Sequence, residues 1–111
     1  MKKLFSALFT IVILAGGVCL TSPNAFAKIV TVEIYKFKFI PAEVTLDKGD
    51  TVLWINKEKR QYHSVWFEQL GEPEPDYLFP GDSMRRTFDQ AGDFPYRCGP
   101  HPEMTGRITV K

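Results

Sequence analysis

An all-β sandwich is the fold class that the chain predicts, and three observations predict it. Apolar and polar residues alternate with period two in several short segments. Turn-forming residues separate those segments at short intervals. After the first 27 residues no stretch carries a convincing helical period. Short strands divided by turns close a hydrophobic core by stacking two sheets.

Taken in order, the chain opens on an export signal. Lys2 and Lys3 supply positive charge, Leu4–Leu20 is apolar, and Ala25-Phe26-Ala27 is a small-residue cleavage site. An uncleaved anchor is the alternative, but the run is short for a membrane span and contains Gly16 and Gly17. Residues 1–27 are therefore expected to be removed, leaving one domain of 84 residues, Lys28–Lys111, with chain enough for one core. Export of this kind predicts a periplasmic location, and no stable membrane insertion is expected after cleavage. The first strand follows: Val30, Val32 and Ile34 share one face. The apolar phase then moves to Tyr35, Phe37 and Phe39, which requires a bulge or break near Ile34–Lys36. Pro41 ends this segment, and Glu43–Leu46 is a short second strand. Lys48-Gly49-Asp50 is turn chemistry. Thr51–Ile55 reads as a central strand buried on both faces. His63–Phe67 is predicted as another strand, and Glu68–Asp82, with its prolines and glycines, as a long acidic loop. Ser83–Phe88 and Phe94–Cys98 flank a turn at Gln90–Asp93, and Thr105–Val110 closes the chain with Ile108 and Val110 on one face.

Charge excludes one large class of function. The full chain has a formal charge of +1, and removal of Lys2 and Lys3 from fourteen basic residues leaves twelve against thirteen acidic ones. A nucleic-acid partner requires a basic stripe, which is missing. Cleavage also removes Cys19 and leaves Cys98 as the single cysteine, so no intrachain disulfide can form. A lone thiol in an oxidising compartment needs burial, reactivity or a metal to account for it.

The run Tyr96-Arg97-Cys98-Gly99-Pro100-His101-Pro102-Glu103-Met104 accounts for it with a metal. Cys98, His101 and Met104 lie three residues apart and supply a thiolate, an imidazole and a thioether, and His63 is the one other histidine in the chain. One Cys, two His and a weak axial Met make a blue-copper electron-transfer site. Zinc is the chemical competitor, since Cys and His bind it well, but a thioether is a poor zinc ligand. Met84, beside Arg85 and Arg86, is expected in the core or at the surface. A loop between neighbouring strands would carry three of the donors, and His63 would tie them to a separate part of the sandwich.

The chain resembles the cupredoxins, the type 1 blue copper proteins. Gly49–Asn56, His63-Ser64-Val65 and Tyr96–Gly106 carry the likeness. The two residues between His101 and Met104 match the short-loop amicyanin branch; pseudoazurin and plastocyanin are more distant. The resemblance implies a Greek-key sandwich with one copper ion near one end, His63, Cys98 and His101 as equatorial ligands, and Met104 as the axial one. It implies a monomeric carrier of single electrons, not an enzyme, with redox proteins as partners: a dehydrogenase as donor and a c-type cytochrome as acceptor. A periplasmic copper carrier or store is the alternative function. An oxidase would need further ligands, and no histidine is left over. Ser64 and Gly99 depart from the family, which often has Asn and Thr there. The shorter side chains predict a loop less tightly tied to the scaffold. Glu103 replaces a large apolar residue and puts a charge at the rim of the expected docking face around His101.

Overall fold

The computed structural model describes residues 26–111, so all of the predicted leader except Phe26 and Ala27 lies outside the described residues. Among the described residues, seven strands form two sheets: β1 (Ile29–Tyr35), β2 (Lys38–Ile40), β3 (Glu43–Leu46), β4 (Asp50–Asn56), β5 (Ser83–Phe88), β6 (Gly92–Arg97) and β7 (Thr105–Val110). The first sheet runs β2-β1-β4-β5 and the second β3-β7-β6. β1 pairs parallel with β4, from Ile29 opposite Thr51 to Ile34 opposite Asn56, and β3 pairs parallel with β7. The remaining pairs are antiparallel. The chain changes sheets between β2 and β3, between β3 and β4, and between β5 and β6, which makes the sandwich a Greek key.

Period-two patterning explains the core. Val32 and Ile34 of β1 and Val52 and Trp54 of β4 point inward from one sheet. Val44, Leu46, Ile108, Val110 and Tyr96 meet them from the other. Burial of each such side chain contributes about 1.5–3 kcal/mol. Trp54 Nε1–H donates to the Tyr96 hydroxyl at 3.1 Å and links the sheets through the core. Phe39 and Phe67 pack their rings against Tyr96 at centroid distances of 4.8 and 5.2 Å. Loss of water around the Tyr96 phenol pushes its pKa up to about 12, against the Trp54 hydrogen bond.

One expectation becomes specific, and two change. The phase shift after Ile34 is a hairpin: Lys36 and Phe37 form a two-residue turn with φ of 52° and 60°, and β1 pairs with β2 through Tyr35 and Lys38. Two left-handed residues are what such a turn needs to match strand twist, although neither is a glycine. β4 is central, but only one of its faces is fully buried; Thr51, Leu53 and Ile55 on the other are half-buried. His63–Phe67 is not a strand. Its backbone makes isolated bridges to opposite sides, His63 with Leu78 and Trp66 with Arg97, and so stitches two loops and β6 together instead of joining one ladder. The remaining strands fall within a residue or two of their predicted spans, with Cys98 one residue past the end of β6.

Candidate metal centre

Three of the four predicted ligands meet at one end of the sandwich. His63 Nδ1 lies 3.2 Å from His101 Nδ1 and 3.6 Å from Cys98 Sγ, and His101 Nδ1 lies 3.4 Å from the same sulfur. Every pair of these donor atoms falls within 4.8 Å. Met104 is buried at the far end of the loop from Cys98. Met84 stands apart on β5, paired across the sheet with Trp54.

Each donor is held by a different device. Cys98 leaves β6 into a loop that closes on itself, with Cys98 N–H donating to Met104 O and Met104 N–H to His101 O, both at 2.9 Å. His63 is fully buried, and its backbone exchanges hydrogen bonds of 3.1 and 2.7 Å with Leu78. Its ring is set by Glu58: Nε2 lies 2.9 Å from Oε2. An ionised carboxylate accepts only, so Nε2 carries the proton and Nδ1 keeps its lone pair for the centre. Burial lowers the His63 pKa more than Glu58 raises it, so the ring is neutral and able to ligate. Burial alone would raise the Glu58 carboxyl, but the N–H of Phe37, the His63 ring and the N–H of Lys36 together hold it below its usual range. Asn56, at the end of β4, supports this arrangement. Its amide donates to Gln61 O and Leu78 O, each at 2.9 Å, and its oxygen accepts Glu58 N–H at 2.8 Å.

Ser64 and Gly99 tie the loop to the scaffold in spite of their short side chains. Gly99 N–H donates to Ser64 Oγ at 2.8 Å, and Ser64 N–H points at Cys98 Sγ at 3.4 Å. The short serine reaches because Gly99 lets it approach. A Cβ at Gly99 would overlap the Glu74 carboxylate and come within 2.9 Å of Ser64 Oγ. Arg97 adds a second tie, donating to Cys98 O at 3.2 Å and Gly99 O at 2.9 Å while its guanidinium stacks on Trp66. Burial raises the Cys98 pKa, with the Ser64 N–H opposing it. The free thiol is thus protonated at neutral pH, and a metal must displace that proton.

Phe37 was not legible as part of the site. The hairpin tip sets its ring edge-on to both imidazoles, 5.2 Å from His63 and 4.8 Å from His101. His101 itself is half-buried. Tyr62 tilts toward it at 6.5 Å and stacks on Tyr77 at 4.9 Å, with Phe79 5.9 Å from Tyr62. Phe37, Tyr62, Tyr77 and Phe79 are each 39–54% exposed, so the rim is aromatic. The acidic loop is less uniform than its composition predicts. Glu68 pairs with Arg97 and Glu72 with Arg86, while Glu74 lies against Gly99 beside the centre.

The donor chemistry fits copper. One cysteine sulfur and two imidazole nitrogens converge, His63 and Cys98 fully buried, and the buried thioether follows on the same loop. Comparison with known proteins agrees. The family model of copper binding proteins of the plastocyanin/azurin family matches residues 27–111. Amicyanin of Paracoccus versutus is 38% identical over 93 residues, covering 77% of this chain and 67% of that protein. Plastocyanin of Scenedesmus fuscus is 36% identical over 85 residues, covering 66% and 86%. A solved structure of a reduced amicyanin point mutant superposes with a TM-score of 0.68 at 34% identity, covering 74% of this chain and 81% of the other.

Proposed function

Because the chain belongs to the plastocyanin/azurin family of copper binding proteins, we propose that it is a periplasmic carrier of single electrons. His63, Cys98 and His101 would hold the copper, and Met104 would add a weaker thioether donor. The observation that supports this most is the convergence of two Nδ1 atoms and one Sγ at separations of 3.2–3.6 Å. When bound, copper supplies a Cu(I)/Cu(II) couple that exchanges one electron without a proton.

The protein's part is to keep its donors still. Glu58 holds His63, Ser64 holds the sulfur and the loop, and the two sheets carry both, so little need move between oxidation states. His101 is the half-exposed donor inside an aromatic rim, and a partner's redox centre comes nearest there. A small, largely apolar contact suits brief redox encounters. The partners are redox proteins, with a dehydrogenase as donor and a c-type cytochrome as acceptor. Complete burial of His63 and Cys98 speaks against the alternative of a copper carrier, which has to release its ion readily.

The visible spectrum tests the reading. Mature protein loaded with Cu(II) should absorb intensely in the red through the Cys98 thiolate and look blue. Cys98→Ser should remove the band and leave the far-ultraviolet β signature. Met104→Leu should keep the band and raise the reduction potential, and Met84→Leu should change neither. A colourless wild-type Cu(II) complex overturns the proposal.

A further inference from the structure

Asp50 is a buried carboxylate with no part in the metal centre. It opens β4 and is 4% exposed. Its Oδ1 accepts the main-chain N–H of Lys28 at 3.0 Å, and Oδ2 accepts that of Asp47 at 3.0 Å. These two bonds, Lys28 first, hold the carboxyl below its usual range. Lys28 is fixed from its other side as well, since Thr51 N–H donates to its carbonyl at 3.0 Å. A buried anion is normally matched by a cation. The nearest one here is Lys28 Nζ, 3.5 Å from Oδ2 on a side chain that is 55% exposed. The nitrogen placed best is the Lys28 main-chain nitrogen, which is a neutral amide in the unbroken chain.

Phe26, Ala27 and Lys28 are exposed and precede the first described strand, so removing Phe26 and Ala27 takes nothing from either sheet. We infer that the Ala27–Lys28 bond is a processing site and that Asp50 is the receptor for the ammonium group that processing creates. An endoprotease of the signal-peptidase class adds water across the bond. The C–N bond breaks, Ala27 leaves as a carboxylate, and the Lys28 nitrogen takes up a proton to become an ammonium. The neutral hydrogen bond to Oδ1 then becomes a charge-assisted one, roughly twice as strong. Processing thereby fastens the new chain end to the start of β4, and the processed protein is more stable than its precursor.

Two measurements test this on the copper-loaded protein. Mass spectrometry of protein exported with its own leader should give Lys28 as the first residue, and any other first residue overturns the site. Thermal unfolding should then compare a chain that starts at Lys28 with one that retains Phe26 and Ala27. The Lys28 start should melt higher by about 4–8 °C, and Asp50→Asn should erase that gap. Equal midpoints in the wild-type background, or a gap that survives Asp50→Asn, overturn the receptor role. If Asp50→Asn does not fold, Lys28→Gln decides: the gap must persist without Nζ, and its loss would assign the effect to the side chain. The blue band should be the same in every folded variant, so failure here is distinct from failure of the copper reading.

Discussion

The two histidines of the centre sit in opposite surroundings. His63 is fully buried, bonded through Nε2 to Glu58 and through its backbone to Leu78. His101 is half-exposed on a loop between Pro100 and Pro102, with aromatic rings around it. The difference assigns different work to two chemically identical donors. One fixes the centre to the sandwich, and the other, on the function proposed above, is the donor that a partner would approach.

Removing each ring is the largest test of that contrast. His63→Gly and His101→Gly should both lose the blue band. Added imidazole should restore it for His101→Gly, where the gap opens to solvent, and not for His63→Gly, where it is sealed. Rescue of both would mean that burial does not separate the two sites.

Asn56 sharpens the buried half. Asn56→Ala strands the carbonyl of Gln61 and the N–H of Glu58, and leaves the Leu78 carbonyl with His63 N–H as its one partner. Denaturant unfolding should show a loss of about 3 kcal/mol, since an unsatisfied buried polar group costs about 1–3 kcal/mol. Copper affinity should fall with it, because Glu58 and Leu78 position His63.

Acid should reveal the same half in the metal-free protein. His63 has a lowered pKa when folded and titrates near 6.5 when unfolded. The unfolded chain therefore binds the extra proton first, and stability falls as pH drops from about 6.5 toward the folded value, by up to about 1.4 kcal/mol per pH unit. His63→Gln should remove this limb from a plot of stability against pH. A limb that persists in His63→Gln belongs to other groups.

The smallest effect belongs to the exposed half. Glu103 is exposed on the His101 loop. Glu103→Lys should slow electron transfer to a basic cytochrome several-fold at low salt, with the difference shrinking as salt is added, because a rim charge acts on encounter. Spectrum and stability should not change. A rate indifferent to Glu103 at every ionic strength would place docking elsewhere.

The same contrast separates what the sequence reveals from what it hides. Cys98, His101 and Met104 share one short loop, so their spacing alone announces a site, and His63 joins them as the remaining histidine. The strands follow from period-two patterning, which is also local. The supporting residues leave no such trace. Glu58 lies five residues from His63 but across a turn, and Ser64 meets Gly99 over a separation of 35 residues. Contacts of that kind depend on how the sheets bring loops together. The stretch His63–Phe67 has the composition of a strand, yet its bridges run to two different partners, and composition cannot distinguish those cases. Phe37 was visible only as a phase shift. That the interruption is a tight turn with its ring on the metal centre follows from register with β2, a tertiary fact.

That hairpin tip also gives the centre a place in the order of synthesis. Phe37 leaves the ribosome long before Cys98, His101 and Met104, yet its ring ends against both imidazoles. Its N–H holds the carboxylate that orients His63. The earliest turn of the domain and its last loop therefore have to find each other before the donor set is complete. A complete donor set consequently requires that the chain from its first hairpin to the loop after β6 has come together.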